Sequence, residues 1–234
     1  MLARSSKKWD VSLLLILLIL ISGCGPSIKT IIKMQPILGY DAYKLDESDS
    51  SVSLTKDDVK VTVAFQDRNK LEGMSKSIST NPFLSENKIF FTIFSLTIEN
   101  NRKDKISFDP VKCVILDGLS GQFNGLTVET LRSLYPSTYT QYYTYSYVFD
   151  EYSPNLAYTD DYYKRRVAEE KMIKGGEVYP GVKRNGLLVF DRISREATNI
   201  TLLIPAVTLY KGNEETAKID FKFQFLQEVR IIRD

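Results

Sequence analysis

Ile219, Phe221, Phe223 and Phe225 alternate with Lys218, Asp220, Lys222 and Gln224 near the end of this 234-residue chain. Successive side chains of a strand point to opposite faces, so a period of two buries one face and wets the other. Val59, Val61, Val63 and Phe65 repeat the pattern against Lys60, Thr62 and Gln66. From Ile89 to Glu99 both alternating sets are partly apolar, which predicts a central strand. Shorter runs at Ile106 to Phe108, Val111 to Asp117, Gly186 to Phe190 and Ile200 to Val207 add further strands, with Pro110 splitting the first two.

Turn residues separate these runs. Asp117-Gly118 with Ser120-Gly121, and Gly212-Asn213, mark hairpins, and Val178-Tyr179-Pro180-Gly181 has the proline and glycine of a type II turn. Residues 67–88 lack any period and read as a long loop or irregular crossover. Seven or eight short strands with one insertion predict a mainly β chain, a two-sheet antiparallel sandwich over residues 52–234.

The insertion spans about 126–176. Leu126 to Leu134 predicts a short helix or connector. A second helix of roughly four turns is expected from a cap at Thr159 or Asp160 to Lys174, with Gly175-Gly176 ending it. Between 135 and 163 lie ten of the fourteen tyrosines. Tyrosine offers a flat apolar ring and a hydroxyl at low rotamer cost, so Tyr139, Tyr142, Tyr143, Tyr145 and Tyr147 are the candidate partner-binding residues. The alternative is that these rings cover the sandwich edge and pack on the second helix.

Composition removes several chemistries. The chain has no histidine, which excludes His-based triads and His-ligated metal sites. The run Asp46 to Asp49 lacks the glycine turn and closing glutamate of a calcium loop, and Gly118, Gly121 and Gly125 lack the lysine of a phosphate loop. No catalytic residue, metal site or cofactor is therefore assigned. Cys113 sits in an apolar run and reads as a packed thiol. A carboxylate-dependent hydrolase acting on cell-wall polysaccharide remains as an alternative, although adjacent carboxylates such as Asp160-Asp161 diverge and make no local pair.

Residues 1–23 have the three-part layout of a secretory signal: Arg4, Lys7 and Lys8, then an apolar stretch from Val11 to Ile21, then small residues. The apolar stretch is about half of the roughly 20 residues a spanning helix needs. Leu20-Ile21-Ser22-Gly23-Cys24 resembles the lipobox of bacterial lipoproteins. That resemblance implies acylation of Cys24, a mature chain beginning there, and a place in the cell envelope. In a Gram-negative source, Gly25 after the cysteine implies the outer membrane, facing the periplasm. Residues 24–51 then read as a lipidated N-terminus and tether. The leader takes away three basic residues and one acid, leaving 28 of each charge, a balance that argues against nucleic acid as partner. The expected partners are the membrane, through the lipid anchor, and an envelope protein or glycan. The chain is read as a non-enzymatic binding or structural module.

A second resemblance lies in the domain itself. Phe94 to Asn100, an asparagine-ended strand, is followed by Gly176 to Gly181 and by Gly186 to Phe190. Together they resemble the immunoglobulin-like domains of uncharacterised bacterial lipoproteins, and imply a fold and a compartment but no activity.

Overall fold

A computed structural model describes residues 28–37, 43–85, 88–135, 139–146, 151–158 and 160–233. Their strands are β1 (Ile28–Pro36), β2 (Lys44–Asp46), β3 (Ser51–Lys56), β4 (Val59–Phe65), β5 (Leu84–Ser85), β6 (Lys88–Ile89), β7 (Phe91–Asn100) and β8 (Ile106–Phe108). There follow β9 (Val114–Leu116), β10 (Gln122–Asn124), β11 (Tyr139–Ser146), β12 (Glu151–Tyr158), β13 (Gly176–Val178), β14 (Lys183–Asp191), β15 (Asn199–Lys211) and β16 (Glu214–Arg233). The helices are α1 (Arg68–Glu72), α2 (Val128–Leu134) and α3 (Asp160–Lys171), and a 3-10 turn occupies Pro110–Lys112. The chain divides into two units, one of residues 32–229 and a small one that joins 28–31 to 230–233.

The alternating sequences produce two antiparallel sheets. One runs β1-β16-β15-β8-β13, with β9 also on β15 and β10 on β9; the other runs β14-β7-β4-β3-β2. Between them Val59, Val61 and Val63 of β4 meet Phe221, Phe223 and Phe225 of β16, all fully buried in one core. Each buried phenylalanine contributes about 2–3 kcal/mol. The two-sheet sandwich predicted from periodicity is the fold.

The second sheet is covered on its other side as well. Phe94, Leu96 and Ile98 of β7 enter the main core, whereas Phe91 and Ile93 join a second cluster with Leu187 and Val189 of β14. Leu71 of α1, Phe83, Leu84, Leu131 of α2, and Ala168 and Met172 at α3 complete that cluster. This is the physical reason for the double-sided apolar pattern from Ile89 to Glu99. Residues 67–88, expected as a loop, supply part of the cover. Asn81 holds them by donating from Nδ2 to the Leu71 carbonyl at 2.7 Å and accepting from the Phe83 amide at 2.9 Å.

Residues 24–51, read as a tether, hold two strands. β1 lies on β16, and the chain just beyond it is fastened by Ile37 N to Gln224 O at 2.9 Å and by the Tyr43 hydroxyl to Lys222 O at 2.6 Å. The polar run Asp46 to Ser51 is the turn between β2 and β3, where Asp46 accepts from Ser48 and Asp49 from Ser51. Polar residues there satisfy a tight turn. Within the insertion, the tyrosine-rich stretch forms the β11–β12 hairpin between the two helices. α3 stops at Lys171, three residues before the expected end, because Met172 and Ile173 pair with Leu187 of β14.

Asn100 joins the two sheets. Its fully buried side chain donates to the carbonyls of Asp104 (3.0 Å) and Val178 (2.9 Å) and accepts from the Arg102 amide (3.0 Å). Gly181, at φ +71°, occupies the left-handed position of the turn after β13 and donates to the Asn100 carbonyl.

Candidate functional site

The insertion is built on its two helices. Thr127 caps α2 by accepting from the Thr130 amide at 2.9 Å, with Glu129 in the first turn; Asp160 and Asp161 open α3 and Lys171 closes it, complementing the helix dipole. Leu131 and Ala168 seat the helices on the second cluster. Outside that apolar contact, the Glu169 carboxylate accepts from Arg132 at 2.7 Å and from Arg165 at 3.1 Å, so one acid fastens α2 to α3.

Tyr135, the last residue of α2's exit, is tied down differently. Its hydroxyl donates to the Pro82 carbonyl at 2.6 Å, and the Lys164 ammonium, itself 2.9 Å from Asp161, lies 5.2 Å from its ring centre. Burial, with the charge of Asp161, pushes the phenol up to about 12. This ring is therefore a neutral structural support for the hairpin's base.

β11 and β12 form a two-stranded sheet separate from those of the sandwich. The backbone register sets Tyr139 opposite Tyr158, Tyr142 opposite Asn155, Tyr143 opposite Pro154 and Tyr145 opposite Tyr152. Four of the five candidate tyrosines thus share one strand; Tyr147 and Cys24 lie outside the described residues. The candidate surface is a β-ribbon carried between the two helices of the insertion. Tyrosine and threonine favour extended backbone.

Two clefts adjoin these elements. One, of about 410 Å³, is lined by Pro110, Val111, Thr127, Glu129, Arg132 and Glu169 among others; the other, of about 360 Å³, has Gln66, Ser95, Thr97 and Asn185 beside Met74 and Lys171. The first holds two carboxylates, but Glu169 is unsuited to general-acid work. The hydrogen bond from Arg132, then that from Arg165, holds its carboxyl below the usual 4.5 despite partial burial. An acid catalyst needs the opposite shift. Among the described residues, no group of three His, Cys, Asp or Glu side chains is placed to hold a metal, and no helix is long and apolar enough to cross a membrane. Cys113 is buried, and burial, reinforced by Asp109, pushes its thiol far up, which leaves it unreactive.

The Glu169 cluster was only partly legible. Arg165 and Glu169 stand four apart on one helix, whereas Arg132 comes from 37 residues upstream and is joined to them only by folding. It has a measurable consequence. A carboxyl lowered in the folded state stabilises above its unfolded value of 4.5, and that contribution is lost as pH falls from there through the folded value. Urea titrations between about pH 5 and about pH 3 should show a smaller loss of stability for Arg132→Gln than for wild type. Parallel losses would show that the ion pair has no differential strength.

Compared with known proteins, the chain matches no protein family, no curated protein and no solved structure.

Proposed function

We propose that the protein is a lipoprotein of the cell envelope, anchored through acylated Cys24, and that it is a non-enzymatic module presenting the β11–β12 hairpin to a protein or glycan partner. The observation that carries the binding part is the hairpin's separation from both sandwich sheets. An isolated two-stranded ribbon is marginal in water and leaves two strand edges to be managed. Here its ends return to two docked helices, and its tyrosines are of the type that forms recognition surfaces. The anchor rests on Ile21-Ser22-Gly23-Cys24, and the outer-membrane address on Gly25 in a Gram-negative source.

The likeness to immunoglobulin-like lipoprotein domains belongs to the same proposal. The residues that carry it are physically coupled, since Asn100 hydrogen-bonds Val178 and Gly181. Against the hydrolase alternative, two guanidinium groups keep Glu169 ionised, the opposite of what a general acid needs.

Crosslinking from the hairpin in intact cells tests the binding surface. Tyr142→Ala with Tyr143→Ala should reduce capture of the partner about tenfold or more, as loss of interface anchors does. Unchanged partners would defeat the proposal. Cys24→Ser should move the protein out of the membrane fraction.

A further inference from the structure

We infer that residues 28–31 of β1 together with 230–233 of β16 rest on an anionic lipid surface. The inference rests on acylation of Cys24, as proposed above. β1 begins at Ile28, only four residues beyond that cysteine. Four Cα-to-Cα steps span at most about 14 Å even when fully extended. The headgroup zone on each side of the hydrocarbon is itself roughly 5–8 Å deep. The opening of β1 is therefore held within about 10 Å of the headgroups. A flexible linker over 24–51 would instead have allowed a separation of roughly 30 Å.

The chemistry of this short unit suits that position. Ile28-Lys29-Thr30-Ile31 and Arg230-Ile231-Ile232-Arg233 contain four isoleucines and three basic residues, against the single acid Asp234 that follows them. Ile231 is 62% exposed, Ile232 41% and Ile31 38%. Aliphatic side chains interleaved with lysine and arginine are the pattern that settles at an anionic interface, the apolar groups entering the headgroup boundary and the cations meeting phosphate. Such a patch binds weakly alone, but the acyl anchor makes the contact intramolecular and fixes it at high effective concentration.

The test uses the acylated full-length protein in phosphatidylcholine vesicles with and without phosphatidylglycerol. An environment-sensitive fluorophore is placed at Ile231→Cys or, as control, at Asn213→Cys in the β15–β16 turn; Cys113 is buried and leaves the label unique. The protein should cosediment with vesicles, and spin-labelled lipid should quench the probe at 231 at least threefold more than that at 213, more so with phosphatidylglycerol. Cosedimentation with equal, negligible quenching at both positions would overturn the surface contact while leaving the anchor intact. Absence of acyl chains on Cys24 and failure to cosediment would overturn the anchor, and this inference with it. A 231 probe shielded without vesicles, in proportion to protein concentration, would place a second copy there and overturn the lipid assignment.

Discussion

Asn100→Ala is expected to cost roughly 3–4 kcal/mol, because it strands two carbonyls and an amide that water reaches poorly. In a domain of this size that corresponds to a fall of about 8–14 °C in Tm. The side chain is fully buried, and its three partners come from the turn after β7 and from β13. No single residue of similar volume replaces all three bonds. Asn100→Asp keeps the acceptor but turns a carboxylate toward the carbonyls of Asp104 and Val178. It should be worse than alanine at neutral pH and recover partly in acid, where a protonated carboxyl can donate once. Denaturant unfolding of the three proteins decides the matter. A loss under about 1 kcal/mol for alanine would mean that the two sheets do not depend on this junction.

Gly186→Val should detach the insertion from the sandwich. A Cβ at Gly186 would lie 2.6 Å from both the amide nitrogen and the Cα of Ile173 and 2.9 Å from its Cβ, so backbone must move. The movement breaks the Ile173 amide bond to the Leu187 carbonyl, 3.0 Å, which ends α3 on the edge of β14. Overpacking of this kind costs about 1–3 kcal/mol, with more where backbone is the obstacle. The local signature is hydrogen exchange. The Ile173 amide should lose protection while amides in β4 and β7 keep theirs, and partner crosslinking should fall although every tyrosine is retained. Unchanged protection at Ile173 would show that α3 is held by its apolar contacts alone.

The parts of the fold legible in the sequence are those where burial is one-sided or complete. β16 announced itself because Lys218, Asp220 and Lys222 are wet while Phe221 and Phe223 are not, and β7 because both of its faces are covered. β1 was hidden. Ile28-Lys29-Thr30-Ile31-Ile32-Lys33 keeps no strict period, and the segment is extended because it lies on β16. The helix after the tyrosines was visible from its charges and the stretch before them only as a helix or connector, but the ribbon between them was not, since composition marked it without a period and Pro154 interrupts its second strand. Likewise no local pattern joins Arg132 to Glu169, or Tyr135 to Pro82; these pairs exist only once distant segments are stacked on β7 and β14.

The docking of α2 and α3 makes the stretch between them an exchangeable cassette. Leu131, Ala168 and Glu169 seat both supports on the layers beneath. A ribbon of different length or composition spliced between Tyr135 and Asp160 would inherit anchored ends. Specificity could then diverge among descendants of this scaffold while the layers beneath stayed the same.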